Sequence, residues 1–501
     1  FMNMEKILLI CISLLLTISM QSQVTKTAAA GVNNWNNASS WSPSGVPASN
    51  DNILVPSGAK MKVNVSGVTI DYFTISGGGE LEVNNSMSVS GGSASQVTGS
   101  SSTLSLKENM TINGTSTVTV GSGASVTLTS GKQLILSNSS STLTNNGTIT
   151  LNSSSSAFSS LLLRGDYDDN STGNVTYARY VSGVSNDWDL IGSPMVGVTS
   201  NMIIAQSNLA TQGSDYAIGT FDNTTGANGT WSTFDSDDSF SEGQLESGKG
   251  FQMASILTGA TLNFQGTPLD GNATFAITEG DSDGDVAGAT GSRWNLVANP
   301  YPAYISVNSN AAGAATHGND YVLKATNLNL LHTNNQAVYV WGGDTPGFTT
   351  INAASSAANA VIAPGQGFFV GGNHTNSGDL TFNINMMTED GSDDGISGDV
   401  MNDDRAELFV NLFQNEYNRV TQLYFLDNTS DSYEPSYDAG SIGFNYPSIS
   451  TRLVEGDQGI DLDIQSLAYS EMWDKVIPLG INALGGEEMT ISISHRTTPA
   501  D

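Results

Sequence analysis

The chain has 501 residues, room for three or four units at about 100–200 residues each. Charged residues make up only 13% of it, against about 25% in an average soluble protein, and Gly, Ser, Thr and Asn fill the difference; these favour turns and strand surfaces over helix interiors, while 38% hydrophobic residues in ordered alternation argue against disorder. With 48 acidic residues against 16 basic ones, the net charge of −32 repels phosphate backbones and anionic membrane surfaces, so nucleic acid is excluded as a partner, divalent cations are admitted, and the simplest use of the acid is solubility.

The N-terminus has the layout of a secretory signal peptide over residues 1–23: Lys6, an apolar run over 7–18, then the polar Gln21-Ser22-Gln23. Twelve apolar residues are too few to span a bilayer, and no second long apolar run follows, so no membrane-spanning segment is expected in the mature chain. Met4 is the expected start. The single cysteine, Cys11, lies inside the leader, so disulfides and thiol chemistry are absent after cleavage.

Residues 24–163 read as a β-solenoid with an N-terminal cap. Trp35 and Trp41, among turn residues, suit the cap, because an open end of a β stack exposes apolar surface and unpaired strand edges. Apolar pairs at period 2 then recur, among them Leu81/Val83, Leu104/Leu106, Met110/Ile112, Val118/Val120, Val126/Leu128, Leu134/Leu136 and Ile149/Leu151. The starts at 104, 110, 118, 126 and 134 are 6, 8, 8 and 8 apart, so three strands make a coil of about 22–24 residues, the period of a parallel solenoid. An up-and-down sandwich is the rival reading. Asn113-Gly114 and Asn146-Gly147 are expected at corners that need positive φ.

Residues 180–390 contain a duplication. Trp188-Asp189-Leu190-Ile191-Gly192-Ser193-Pro194 matches Trp294-Asn295-Leu296-Val297-Ala298-Asn299-Pro300 at an offset of 106. Ala217-Ile218-Gly219-Thr220-Phe221 matches Ala337-Val338-Tyr339-Val340-Trp341 at 120, and Gly248-Lys249-Gly250-Phe251 matches Gly365-Gln366-Gly367-Phe368 at 117. Two related β-sandwich-like units are therefore expected, 164–278 and 279–390. The glycines inside the last strand signal a bulge or a close backbone approach. Acid-rich links at 166–169, 279–285 and 389–394 read as exposed joints. Five strands after Asp404 suggest a C-terminal β-sandwich over 404–501.

Trp294 to Pro302 together with Pro364-Gly365-Gln366-Gly367-Phe368-Phe369 resembles the W-N-L-x-G-N-P-Y-P … P-G-Q-G-F-F pattern of large Bacteroidetes surface proteins carried by the type IX secretion system. Tyr433-Glu434-Pro435-Ser436-Tyr437-Asp438-Ala439-Gly440, followed by Val476-Ile477-Pro478-Leu479-Gly480, resembles the β-sandwich that precedes their C-terminal sorting domain, and the tryptophan-rich opening with its β stack is similar to their β-helix modules and to the G8 module. The resemblance implies export to the cell surface or beyond and contact with the secretion machinery. It places the sorting domain beyond Asp501, in a longer protein. It leaves activity open, since the group holds adhesins, gliding proteins and polysaccharide-degrading enzymes. Ser193 and Lys249 depart from the pattern in the first copy.

No catalytic constellation stands out, and the chain is expected not to be an enzyme. His317, His332, His374 and His495 are scattered, without metal-ligand spacing, and neither a Gly-x-Ser-x-Gly elbow nor a phosphate loop is present. Asp281, Asp283 and Asp285, alternating in a glycine loop, form the one candidate calcium site, with a solvated linker as the plainer reading. Arg164-Gly165-Asp166 spells an integrin tripeptide, a pattern this short being expected by chance. Trp35, Trp41, Tyr339, Trp341 and Phe348 could stack on sugars, or simply pack a core. The leading expectation is an adhesive or structural surface protein with polysaccharide or other cell-surface components as partners. The alternative is a carbohydrate-binding protein or the non-catalytic part of a polysaccharide-degrading enzyme. A lyase or hydrolase working in the solenoid groove is disfavoured, because that region offers little beyond Lys107, Glu108 and Lys132.

Overall fold

The computed structural model describes residues 23–497, apart from 138, 182–184, 186, 236–242, 281–289, 312–319, 343–346, 356–359, 390, 392–404, 428 and 445. The fold is all-β, an N-terminal parallel β-solenoid of about seven turns followed by further sheets.

Three parallel sheets form the solenoid, each receiving one strand per coil. Leu81, Leu104, Val126 and Ile149 stand in one row on consecutive coils, steps of 23, 22 and 23 residues. All four are buried, as are the rows Val118–Leu143 and Met87–Met110–Leu134 in the other two sheets. Alternation does this directly: period 2 sends one set of side chains into the shaft and leaves Thr, Ser and Asn outside. Gly114 takes the positive φ expected of a corner (+64°). Gly147 does not: it is glycine because a Cβ there would lie 2.4 Å from the Ala124 carbonyl of the coil below.

The tryptophan pair closes the first coil. Trp35 and Trp41 meet edge to face at 5.0 Å, both buried, and the Trp41 indole donates to the Trp35 carbonyl at 2.9 Å. At the other end the stack continues past 163. Asp166–Tyr167 pairs in parallel with Thr142–Asn145, and Asn174–Tyr180 with Thr148–Ser154. The acid-rich 166–169 segment is thus a coil corner with Tyr167 packed inward, and not a linker. The antiparallel strand Thr261–Gly266, from the first repeat, then covers Asn174–Tyr180 and ends the sheet.

The two repeats share one topology. In the first, Trp188–Gly192 pairs with Gly250–Ala254, which pairs with Asp215–Asp222; in the second, Trp294–Ala298 pairs with Gly367–Gly371, which pairs with Ala337–Trp341. The registers agree residue for residue: Gly219 faces Gln252 as Tyr339 faces Phe369. The repeats pack back to back about a pseudo-two-fold axis. Ile191 bridges to Gln366 and Val297 to Lys249; Gly192 donates to the Gly365 carbonyl and Ala298 to that of Gly248, each at 2.8 Å. Here the glycines permit a close approach: a Cβ on Gly250 would lie 2.8 Å from the Val297 carbonyl oxygen, and one on Gly367 would lie 2.8 Å from that of Leu190. Strands also cross the expected 278/279 boundary, since Ala273–Ile277 pairs with Gly378–Phe382.

From Ala406 on, the chain forms one seven-stranded mixed sheet. Its inner face, with Tyr424, Ala439 and Ile464, packs on Trp294, Tyr339 and Phe369 of the second repeat. The second layer of this sandwich is therefore supplied by the repeat. The outer face carries Val410, Leu412, Leu423, Phe425 and Leu467, partly covered by Tyr469 and Met472.

Candidate ligand-binding surface

The motif residues of the duplicated segments are structural. Asn299, fully buried, donates to the carbonyls of Ala303 (2.7 Å), Ala363 (3.0 Å) and Ile362 (3.1 Å) and accepts the Tyr301 amide at 3.0 Å, so it ties its own Pro-rich turn to the neighbouring strand. Asn295 binds the backbone of Thr278 through both ends of its amide, at 2.7 and 3.0 Å. Gln366 accepts the Ala363 amide at 2.8 Å. In the first copy Ser193 does the Asn299 job with one side-chain hydroxyl, accepting the Met195 amide at 3.2 Å, and Lys249 reaches over the Phe251 ring at 5.9 Å. The pattern marks a folding unit and supplies no reactive group.

Duplication also builds an aromatic strip. Phe221 and Trp231 are cross-strand partners in the first repeat, as Trp341 and Phe348 are in the second, each pair in contact at 5.0 Å. Phe221 and Trp341 are equivalent positions, so one hairpin feature occurs twice. Both pairs lean on Phe369, through Phe221 at 4.9 Å and Phe348 at 5.8 Å. The Trp341 indole donates to the Trp188 carbonyl at 3.1 Å. Trp188 and Trp231 remain 39% and 42% exposed, a large apolar outlay for solvent-facing rings. Of the five aromatics singled out in the sequence, Trp35, Trp41 and Tyr339 belong to the core, while Trp341 and Phe348 are half-buried members of this strip. Trp231 escaped the sequence reading. Its signal was available: it stands across the hairpin from Phe221, the counterpart of Trp341.

A polar cleft of about 440 Å³ lies beside the strip, where the second repeat meets the C-terminal sheet. Trp294, Asn334, Ser448, Asp461 and Asn482 line it. Its floor is fixed: Arg293 donates to Asn335 Oδ1 (3.1 Å) and lies 2.5 Å from His332 Nδ1, while Tyr339 donates to the Gly440 carbonyl at 2.6 Å. Asp438 staples the adjoining Tyr433–Gly440 turn by accepting the Glu434 and Ser466 amides, each at 2.7 Å. Burial pushes its carboxyl up to about 7 against the pull of those two amides. Burial likewise lifts Asp463, which accepts the Thr350 hydroxyl at 2.8 Å, to about 6.

The remaining charged candidates are engaged or lie elsewhere. Glu82 receives Lys60 at 2.7 Å and Lys107 at 3.2 Å; burial alone would raise its carboxyl, but the bonds from Lys60, Asn84 and Lys107 hold it at about 2. Lys132 pairs with Glu108 across a coil at 2.5 Å. Arg164 of the tripeptide turns away from Asp166 to donate to the Met387 carbonyl at 2.9 Å. His332 is buried against the cleft residue Arg293, His374 is 3.5 Å from Glu279, and His495 is in the last strand. Among the described residues no three His, Cys, Asp or Glu side chains converge as metal ligands, and no helix is long and apolar enough to cross a membrane. The calcium candidates Asp281, Asp283 and Asp285, like His317, lie outside the described residues, as does the leader.

Solenoid, paired repeats and closing sheet thus define a composite all-β scaffold with an aromatic strip and a cleft at its far end. The chain belongs to the family described as a domain of unknown function, DUF8693, whose profile matches residues 94–498. That match opens within the solenoid and runs on through both repeats and the C-terminal sheet. No curated protein and no solved structure matches the chain.

Proposed function

We propose that the chain is a non-catalytic exported protein of the cell surface or its surroundings, adhesive or structural in role and carried by type IX secretion. The observation that supports this best is the twin aromatic pair at the repeat junction. Two copies of one hairpin feature converge on Phe369 and leave Trp188 and Trp231 facing solvent at the end of a stiff rod. A stack of coils supplies length, and rings on a rigid β frame lose little entropy on contact. The test is adhesion of the purified chain, without residues 1–23, to intact cells and to cell-surface polysaccharide. Trp231→Ala combined with Trp341→Ala is expected to abolish retention while leaving the circular dichroism spectrum unchanged. Undiminished retention of the folded double variant would sink this reading.

A second reading, carbohydrate binding, is favoured by the same exposed indoles, because tryptophan faces suit the C–H faces of sugar rings. A glycan array separates the two. Specific glycan signals favour the second reading; adhesion without any glycan signal favours the first.

A further inference from the structure

The cleft between the second repeat and the C-terminal sheet has no part in the aromatic strip's adhesion, and its chemistry is specific. We propose that it is a binding site for a neutral oligosaccharide; this rests on the carbohydrate-binding reading and gives it a second, separate location.

The lining carries hydrogen-bonding capacity that the fold does not use. Asp461 spends Oδ1 on Ser450 (3.1 Å) and Arg452 (2.8 Å), and its Oδ2 accepts nothing among the described residues. The side-chain amides of Asn334 and Asn482 and the Ser448 hydroxyl likewise make no side-chain hydrogen bond among the described residues. Amides and hydroxyls both donate and accept, as sugar hydroxyls do, and a carboxylate accepts from two neighbouring hydroxyls at once. Trp294 and Ile442, both mostly buried, supply the apolar part of the lining against which a sugar C–H can rest. The volume, about 440 Å³, lies in the range of small-molecule sites.

Charge decides against acidic sugars. Both guanidiniums nearby are already engaged, Arg293 with His332 and Asn335 and Arg452 with Asp461 at 2.8 Å. On a chain with net charge −32, a uronate or sulfate would meet repulsion there. The cleft is also placed to persist: Tyr339, Asn335 and Gly440 lock its two walls together, Asn335 donating to the Gly440 carbonyl at 3.2 Å.

The experiment is a titration of the purified chain, followed by calorimetry and by the tryptophan indole NMR signals, with neutral gluco-, manno-, xylo- and galacto-oligosaccharides, and with uronic and sulfated oligosaccharides as controls. At least one neutral series is expected to bind and to shift the Trp294 indole signal. Asp461→Asn and Asn482→Ala, both at exposed positions, are expected to weaken it by about tenfold each, the loss of a good polar contact, while Trp231→Ala leaves it unchanged. Binding that survives both cleft variants and disappears with Trp231→Ala overturns the cleft and keeps the strip as the sugar site. No binding by any neutral series overturns both. Preference for the sulfated or uronic controls overturns the charge argument and with it the proposal.

Discussion

Gly192 and Ala298, the same position in the two repeats, face each other so closely that a Cβ on Gly192 would lie 2.3 Å from the Cβ of Ala298 and 2.7 Å from the Lys249 carbonyl. The pseudo-two-fold axis passes between them. Gly192→Ala is therefore expected to cost about 1–3 kcal/mol by overpacking, read as a lower urea midpoint with the slope unchanged. Gly271→Ala, where nothing lies within 4 Å, is the control and should be near neutral. Equal effects of the two would remove the close contact as the reason for the glycine.

Arg179 pins three parts of the molecule together. It stands on the last full solenoid strand, is fully buried, donates through Nε to the Pro364 carbonyl of the second repeat at 3.0 Å, lies 5.0 Å over the Phe158 ring, and faces Asp189 of the first repeat at 3.8 Å. Removing one side of a buried charge pair costs about 3–5 kcal/mol. Arg179→Ala should therefore destabilise the chain by that order and separate the melting of the solenoid from that of the repeats, relative to the unsubstituted chain. Melting unchanged from that of the unsubstituted chain would show that the parts do not depend on this side chain.

Trp35→Ala removes the end plate of the stack. A buried tryptophan truncated to alanine costs about 3–5 kcal/mol, and in a solenoid the loss is felt by the nearest coils first. Hydrogen exchange should accelerate in Gly31–Asn34 and Ala59–Val63 and stay unchanged in Asn174–Tyr180. Uniform acceleration along the shaft would contradict a nearest-neighbour stack.

Much of this was legible in the sequence, for reasons that individual residues make plain. The rows Leu81–Leu104–Val126–Ile149 follow from period 2 and a near-constant coil length, and the repeat registers follow from matched motifs. The solenoid's true end was hidden because Asp166, Asp168 and Asp169 look like a linker. One inward tyrosine, Tyr167, together with Asp168 accepting the Thr144 hydroxyl at 3.0 Å, makes that segment a corner. The cleft was beyond reach: its lining comes from positions near 293, 334, 441–461 and 482, brought together only when the C-terminal sheet docks on the second repeat.

That docking carries a pH dependence. Asp463 lies in the interface with Thr350 of the second repeat, and burial raises its carboxyl from 3.8 to about 6. The folded state then holds a proton that the unfolded state has released. This stability is fully present below about pH 4 and is lost as pH rises towards 6, with a slope of about 1.4 kcal/mol per pH unit. Asp438, raised by burial to about 7, adds a slope of the same sign, so Asp463→Asn should remove about half of the combined slope in urea unfolding measured between pH 4 and 6. Glu82 acts in the opposite sense, its contribution being lost as pH falls from 4.5 towards 2. An unchanged slope in the Asp463→Asn protein would place its proton uptake elsewhere.

Fractionation of cells producing the full chain, with mass spectrometry of its N-terminus, tests the central claim most directly. The account predicts the protein outside the cell or on its outer surface, with residues 1–23 removed. Recovery from the cytosol with Lys6 and the apolar run still attached would contradict it.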